Sequence, residues 1–234
     1  MPHSDFDVPR LAAFLHLTPK QVLRLADRGK IPGRKINGQW RFSRAEIHHW
    51  LEERIGLSSD VELREVEGVI HRAAGGPTAE VSIDLWMPDC AVIYPLQART
   101  RFSVIQAMCD LAATTGLLWE PGKMAEAVQA REEMHTTALD MGVALLHARR
   151  PMTNILGGPI LALGRTVSGI PFAGRGLLTD IFFLICSTDD QEHLQLLARL
   201  SRVLTDPEII PLLREAADSA DLRRIIVDKE AEIY

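Results

Sequence analysis

The chain has only three cysteines in 234 residues, Cys90, Cys109 and Cys186, odd in number and far apart. That scarcity argues against a disulfide framework, and no metal-ligand spacing is present, so the thiols read as reduced and mostly buried, with no metal site. Long apolar runs are missing too, since stretches such as Ile181–Cys186 are far too short to cross a bilayer. Residues 1–10 include two acidic groups and no apolar stretch of the secretory-signal kind. The expectation is a cytoplasmic protein without membrane insertion. Internal repeats and low-complexity tracts are also absent. Gly157-Gly158-Pro159 and Gly164 match neither a Walker loop nor the dinucleotide-binding glycine pattern. No bound nucleotide and no cofactor are therefore expected.

What is present is an ordinary globular balance, 47% hydrophobic and 24% charged, at a length that suits one large domain or two modest ones. The net charge of -5 is unevenly spread. Residues 1–55 carry ten Lys/Arg against six Asp/Glu, whereas 56–234 carry sixteen against twenty-five. A basic head on an acidic body points to nucleic-acid binding by the head alone.

Start and stop signals recur at short intervals in the head. Asp7 can cap a helix through Leu15, with Leu11, Phe14 and Leu15 on one face and Pro9 tolerated in the first turn. Thr18-Pro19-Lys20-Gln21 combines a cap, a proline at the first helical position and a capping-box glutamine, opening a second helix that Gly29 can close. Two short helices joined by a tight turn make a helix-turn-helix. Arg34–Ile36 and Gln39–Phe42 flank Asn37-Gly38, a pair suited to a type I′ hairpin and hence a small β-wing. Ser43-Arg44-Ala45-Glu46 reads as another capping box, opening a helix with Ile47, Trp50 and Leu51 at helical spacing.

The stretch VPRLAAFLHLTPKQVLRLADRGKIPGRKINGQWRFSRAEIHHWLEE, with its RGKIP, NGQWRF and HHWLEE pattern, resembles the excisionase-type, MerR-related winged helix-turn-helix family over nearly its whole length. The resemblance implies a DNA reader. Lys20, Gln21 and Arg24 fall on the N-terminal half of the recognition helix, where base contact and plain solvation are both open readings. Lys30, Arg34, Lys35 and Arg41 lie around the wing, placed to neutralise phosphates, while Trp40 suits the wing core better than a stacking platform. A homodimer would let such a reader cover a palindromic operator.

Residues 56–79, with Ser58-Ser59 and the breaker run Ala73-Ala74-Gly75-Gly76-Pro77, read as a linker holding at most a short helix around Val61–His71. The expected organisation is multidomain: 1–55 a small, mainly α winged helix-turn-helix, then 80–234 an α/β domain with a mixed sheet flanked by helices. Ser103-Val104-Ile105-Gln106 reads as a helix-opening capping box, with Val104, Met108, Leu111 and Ala112 on one face and Gly116 as a stop. Further helices are expected over Lys123–Glu132, from Thr188-Asp189-Asp190-Gln191, from Asp206-Pro207 and from Ser219. Strands are expected at Val143–Leu146 and at Asp180–Cys186, the latter fully buried.

The segment REEMHTTALDMGVALLHAR, Arg131 to Arg149, resembles the active-site signature of phosphotransferase-system IIA domains of the fructose/mannitol type, including the nitrogen-regulatory branch, and QEHLQLLARLSRVLTD continues the match. By that resemblance His147 is the phosphoryl acceptor, Arg131 a fork for phosphate, His193 a second donor, and the Thr136 and Thr137 hydroxyls further donors or a means of orienting the imidazole. An HPr-like phosphocarrier is the implied partner. One departure is Leu146, where the family usually has proline immediately before the acceptor; without proline's fixed φ the histidine can be re-aimed. Arg131 equally suits the C-terminal end of a helix, and His193 the first turn of one, with no further role. His135 fits no required family position and reads as an exposed loop histidine.

Three functions remain open on the sequence: a DNA-binding regulator whose IIA-like domain takes a phosphoryl group on His147, a phosphocarrier that does not bind DNA, and a phosphorylation-incompetent sensor.

Overall fold

The structure, a computed structural model, describes residues 5–14, 18–43, 46–47, 50, 81–172 and 176–233. The chain divides into two compact units, Met1–Glu80 and Val81–Tyr234.

In the first unit, α1 spans Val8–Phe14 and α2 spans Pro19–Asp27. The Asp7 carboxylate accepts from the Arg10 amide at 2.8 Å, and the Thr18 hydroxyl accepts from the Gln21 amide at 3.3 Å while the Gln21 side chain accepts from the Thr18 amide at 2.8 Å. Both caps satisfy amides that a helix start leaves without partners. Gly29, at φ +64°, ends α2 as expected. The antiparallel strands β1 (Arg34–Ile36) and β2 (Gln39–Arg41) turn through Asn37 and Gly38 at φ 50° and 77°, as a type I′ turn requires. Phe42 is fully buried and exchanges backbone hydrogen bonds with Phe6 at 2.8 and 3.0 Å. It joins Leu11, Val22, Ala26, Ile31 and Ile47 in the buried set of this unit. Gly33 admits Phe42, because a Cβ there would stand 2.6 Å from its ring. Trp40 is half-buried, stacked on Phe42 and bonded through its indole N–H to Asp27 at 3.3 Å, in keeping with a wing-core role. Leu15, Arg44-Ala45, Leu51 and the linker with its helix at 61–71 lie outside the described residues.

The second unit is a five-stranded mixed sheet of β3 (Val92–Ile93), β4 (Ala138–Leu139), β5 (Val143–His147), β6 (Ile160–Pro171) and β7 (Leu178–Cys186), in the order β3-β6-β7-β5-β4. Its helices are α3 (Ile83–Trp86), α4 (Arg101–Ala113), α5 (Pro121–Met134), α6 (Asp190–Thr205), α7 (Ile209–Glu215) and α8 (Ser219–Ile233). Strand alternation sorts the core. Ala144, Leu146, Ala162, Phe182, Leu184 and Cys186 join Val104, Met108 and Val128 of α4 and α5 in one hydrophobic cluster. The intervening residues, including His147 and Arg165, point to the opposite face, where Arg165 meets α7.

One helix start is corrected, and further local features are added to the sequence reading. Helix α4 starts a turn early, because Thr100 is the cap and Ser103 its reciprocal partner; Gln106 bonds Asp110 at 3.0 Å instead. The twelve-residue strand β6 was not anticipated; its Gly164 and Arg165 look like breakers locally. Asp189 caps α6, accepting from the Glu192 amide at 3.1 Å, and Asp218 caps α8, accepting from the Asp221 amide at 2.9 Å. Cys90 is exposed, while Cys109 and Cys186 are buried, and burial pushes the Cys109 thiol up to about 12, which leaves it inert.

Arg165 shows how β6 tolerates a buried charge. Its guanidinium donates to the carbonyls of Leu213 at 2.7 Å and Ala216 at 2.8 Å, and to that of Arg214, satisfying the C-terminal end of α7, and it lies 3.7 Å over the Tyr94 ring. Arg165→Met is expected to remove about 3 kcal/mol of stability, since several charge-assisted bonds go at once. Urea unfolding with an unchanged m-value would measure it, and a loss under ~1 kcal/mol would contradict the capping role.

Candidate phosphoryl-transfer site

His147 ends β5, in parallel register with Ile185 of β7, and its side chain lies on the face that α6 covers. Its Nδ1 stands 2.8 Å from the Leu145 carbonyl oxygen. A carbonyl only accepts, so Nδ1 carries a hydrogen, and in the neutral ring Nε2 then holds the lone pair. Nε2 is therefore the ring nitrogen chemically able to act as a nucleophile. His193 sits in the first turn of α6, anchored by its amide to the Asp189 carbonyl at 3.1 Å. The two imidazoles lie with centroids 5.1 Å apart and planes tilted by 56°. Ser187, just past the end of β7, places its hydroxyl oxygen 3.1 Å from Nδ1 of His193. All three side chains are buried, His147 at 3% exposure, and the Nε2 atoms of both rings are shielded from solvent.

The remaining motif residues come from the turn between α5 and β4. Arg131 is buried in the last turn of α5 and donates to the His135 carbonyl at 2.8 Å, so the helix-ending reading holds; a guanidinium has five N–H groups, and this bond does not preclude an anion-binding part. Glu132 is buried beside it, with one carboxylate oxygen accepting from the Thr137 amide at 2.7 Å and from the Thr137 hydroxyl. The Thr137 carbonyl accepts from the Leu145 amide at 3.2 Å, which sets this turn level with the end of β5. Thr136 is exposed, its hydroxyl accepting from the Ala138 amide at 3.2 Å. His135 is exposed in that turn, as expected.

The structure thus joins His147 to His193 by direct ring contact, and places Thr137 beside β5 with its hydroxyl given to Glu132. Sequence reasoning assigned no role to Glu132 or Ser187. The signal for Ser187 was available, because alternation from Ile185 puts a polar side chain on the face of His147 at the end of an apolar strand.

In the head, Lys20, Gln21, Arg24, Lys30, Arg34 and Lys35 are exposed and Arg41 is half-buried. Gln21 has its carbonyl oxygen committed to the Thr18 cap, which leaves its amide N–H groups for an external acceptor. Arg34 pairs with Asp5 at 3.0 Å, and Lys35 with Asp27 at 3.6 Å. Such exposed pairs contribute little to stability. Among the described residues no three His, Cys, Asp or Glu side chains cluster as metal ligands would, and no helix is long and apolar enough to cross a membrane.

Comparison with known proteins agrees with both halves. Residues 88–229 match the family model described as phosphoenolpyruvate-dependent sugar phosphotransferase system, EIIA 2. Residues 6–55 match a helix-turn-helix domain model. The chain is 30% identical over 147 residues to a nitrogen regulatory protein of Bradyrhizobium diazoefficiens, covering 61% of this chain and 92% of that protein. It is 26% identical over 150 residues to a PTS system fructose-specific EIIA component of Haloferax volcanii, covering 60% and 96%. Among solved structures, the nitrogen regulatory protein IIA-Ntr of Neisseria meningitidis matches with a TM-score of 0.55 at 20% identity, over 62% of this chain and 98% of that one. That structural likeness speaks to the fold.

Proposed function

The chain belongs to the EIIA 2 family of the phosphoenolpyruvate-dependent sugar phosphotransferase system and carries a helix-turn-helix domain ahead of it, and from that premise we propose that it is a cytoplasmic DNA-binding regulator whose His147 accepts a phosphoryl group from an HPr-like carrier. The observation that carries this reading is the pairing of His147, its Nδ1 fixed on the Leu145 carbonyl, with His193 at 5.1 Å.

In the transfer, the donor's P–N bond breaks and its electron pair returns to the donor imidazole, while the Nε2 lone pair of His147 forms the new P–N bond. The transition state is loose, with charge on the peripheral oxygens, so positioned donors supply most of the catalysis. The imidazole of His147 turns cationic as the bond forms, and its Nδ1–H bond to Leu145 strengthens with that charge. His193 and Arg131 are assigned to the phosphoryl oxygens, and Thr137, through Glu132, to the shape of the turn beside β5. Because Nε2 is shielded, docking of the carrier has to open the site locally.

The same shielding, together with Leu146 in place of proline, favours a second reading, a sensor that acts through protein contacts without taking phosphate. In either case the head would read DNA with Lys20, Gln21 and Arg24 in the major groove and Lys30, Arg34, Lys35 and Arg41 on phosphates, as a dimer on a palindromic operator. A phosphoryl group adds charge and acceptor oxygens able to reorganise an interface, which is how state would reach the head.

The deciding experiment incubates the full chain with phosphoenolpyruvate, the general phosphotransferase enzyme and HPr, follows acid-labile phosphate by intact mass, and titrates duplex DNA binding in both states. Phosphate on the protein with a change in DNA affinity is expected; an unlabelled chain with a competent donor overturns the acceptor reading and leaves the sensor. Binding is also expected to weaken with salt, log K falling by about 0.9 per phosphate neutralised for each tenfold rise in salt. The absence of any salt-dependent DNA affinity would argue for a carrier that does not bind DNA.

A further inference from the structure

We propose that Ser187 is a positioning residue that sets the tautomer of His193 by donating its hydroxyl hydrogen to Nδ1. The inference rests on the acceptor reading for its use in phosphotransfer, but the tautomer is a property of the unphosphorylated protein.

The geometry is specific. Ser187 follows Cys186, the last residue of β7, and alternation turns its side chain to the face that carries His147. Its oxygen is 3.1 Å from Nδ1 of His193, and both residues are about 95% buried. A hydroxyl both donates and accepts, so the distance alone leaves two arrangements. If Ser187 accepted, the hydrogen would sit on Nδ1, and Nε2 of His193 would present a lone pair within a buried ring pair whose other member, His147, already keeps its own lone pair on Nε2. Such a lone pair would also repel the oxygens of a phosphoryl group on His147. With Ser187 donating, Nδ1 is the acceptor and Nε2 carries the hydrogen, so the neutral imidazole, its ring centroid 5.1 Å from that of His147, keeps a donor for the phosphoryl oxygens.

The arrangement divides the work between two fixed partners. The Leu145 carbonyl keeps the hydrogen of His147 on Nδ1, and the Ser187 hydroxyl keeps the hydrogen of His193 on Nε2, so the two rings are set in opposite tautomers. Opposite tautomers make one ring a nucleophile and its neighbour a donor.

The test is two-bond 1H–15N correlation of the imidazole nitrogens in the full-length 15N-labelled protein, for the wild type, Ser187→Ala and Ser187→Thr, alongside transfer rates from phosphorylated HPr. The wild type is expected to show His193 in the Nε2–H form, Ser187→Ala a mixture of forms, and Ser187→Thr, which keeps the hydroxyl, the wild-type pattern. Transfer should slow roughly tenfold or more in the alanine variant and recover in the threonine variant. A purely structural role would leave the nitrogen pattern unmoved. An Nδ1–H pattern for His193 in the wild type, or an unchanged pattern in Ser187→Ala, overturns the proposal. If the wild type takes no phosphate, the acceptor reading fails, and the nitrogen pattern still decides the part played by Ser187.

Discussion

His147→Ala is expected to abolish acid-labile phosphorylation while leaving the fold intact. The substitution removes the nucleophile itself, and the drop should exceed about a thousandfold, beyond what loss of any single oxygen-holding donor produces. Stability should change far less, since alanine at the last residue of β5 keeps the ladder with β7 and gives up one side-chain bond to Leu145, worth about 1 kcal/mol, plus some packing. His193→Ala makes the contrast. It leaves Nε2 of His147 in place and removes a donor, so phosphate should still appear, more slowly. Peptide mapping of the labelled protein separates the outcomes, and a label retained in His147→Ala would place the acceptor on another side chain.

The parts legible in the sequence were those whose causes are local. Thr18-Pro19-Lys20-Gln21 and Asn37-Gly38 determine a cap and a turn from a few neighbouring residues, and both occur as read. Ser103 failed for an instructive reason. Thr100 and Ser103, and Ser103 and Gln106, are both spaced as capping boxes, and one pattern could not tell which pair wins. In the fold Thr100 and Ser103 bond each other reciprocally, and Gln106 turns to Asp110.

Strand β6 escaped because its justification is distant. Gly164 in mid-strand makes room for α4, since a Cβ there would stand 2.6 Å from the Met108 sulfur, and Arg165 finds its carbonyls on α7, some fifty residues away. Neither fact leaves a trace in the local pattern. The candidate site divides in the same way. Motif resemblance pointed to His147 and His193, and the strand period then explains why Ser187 shares their face. The carboxylate of Glu132 earns a role only once its two bonds to Thr137 are seen.

Glu230→Ala should produce the largest loss of stability in the second unit, about 3–5 kcal/mol. Glu230 is 5% exposed on α8, and its carboxylate accepts from the Ile83 amide at 2.9 Å, the Ser82 hydroxyl at 3.1 Å and the Arg199 guanidinium at 2.8 Å. It thus caps the start of α3 from the far end of the chain and pairs a cation on α6. Alanine would leave the buried Ile83 amide without this acceptor and remove a 2.8 Å carboxylate contact from the largely buried Arg199, the costly half of the asymmetry between making and breaking a buried ion pair. A melting temperature lower by roughly 10 °C is the expected reading. Glu230→Gln, which keeps an acceptor oxygen and loses the charge, should fall in between, and a double-mutant cycle with Arg199→Ala would isolate the pair itself. The effect should also reach the site, because Arg199 and His193 share α6. Loosening that helix would let His193 drift from His147, so Glu230→Ala should slow phosphotransfer at temperatures where the domain is still folded. A variant as stable as the wild type within ~1 kcal/mol would mean that water takes over these donors and that α6 is held by its apolar face alone.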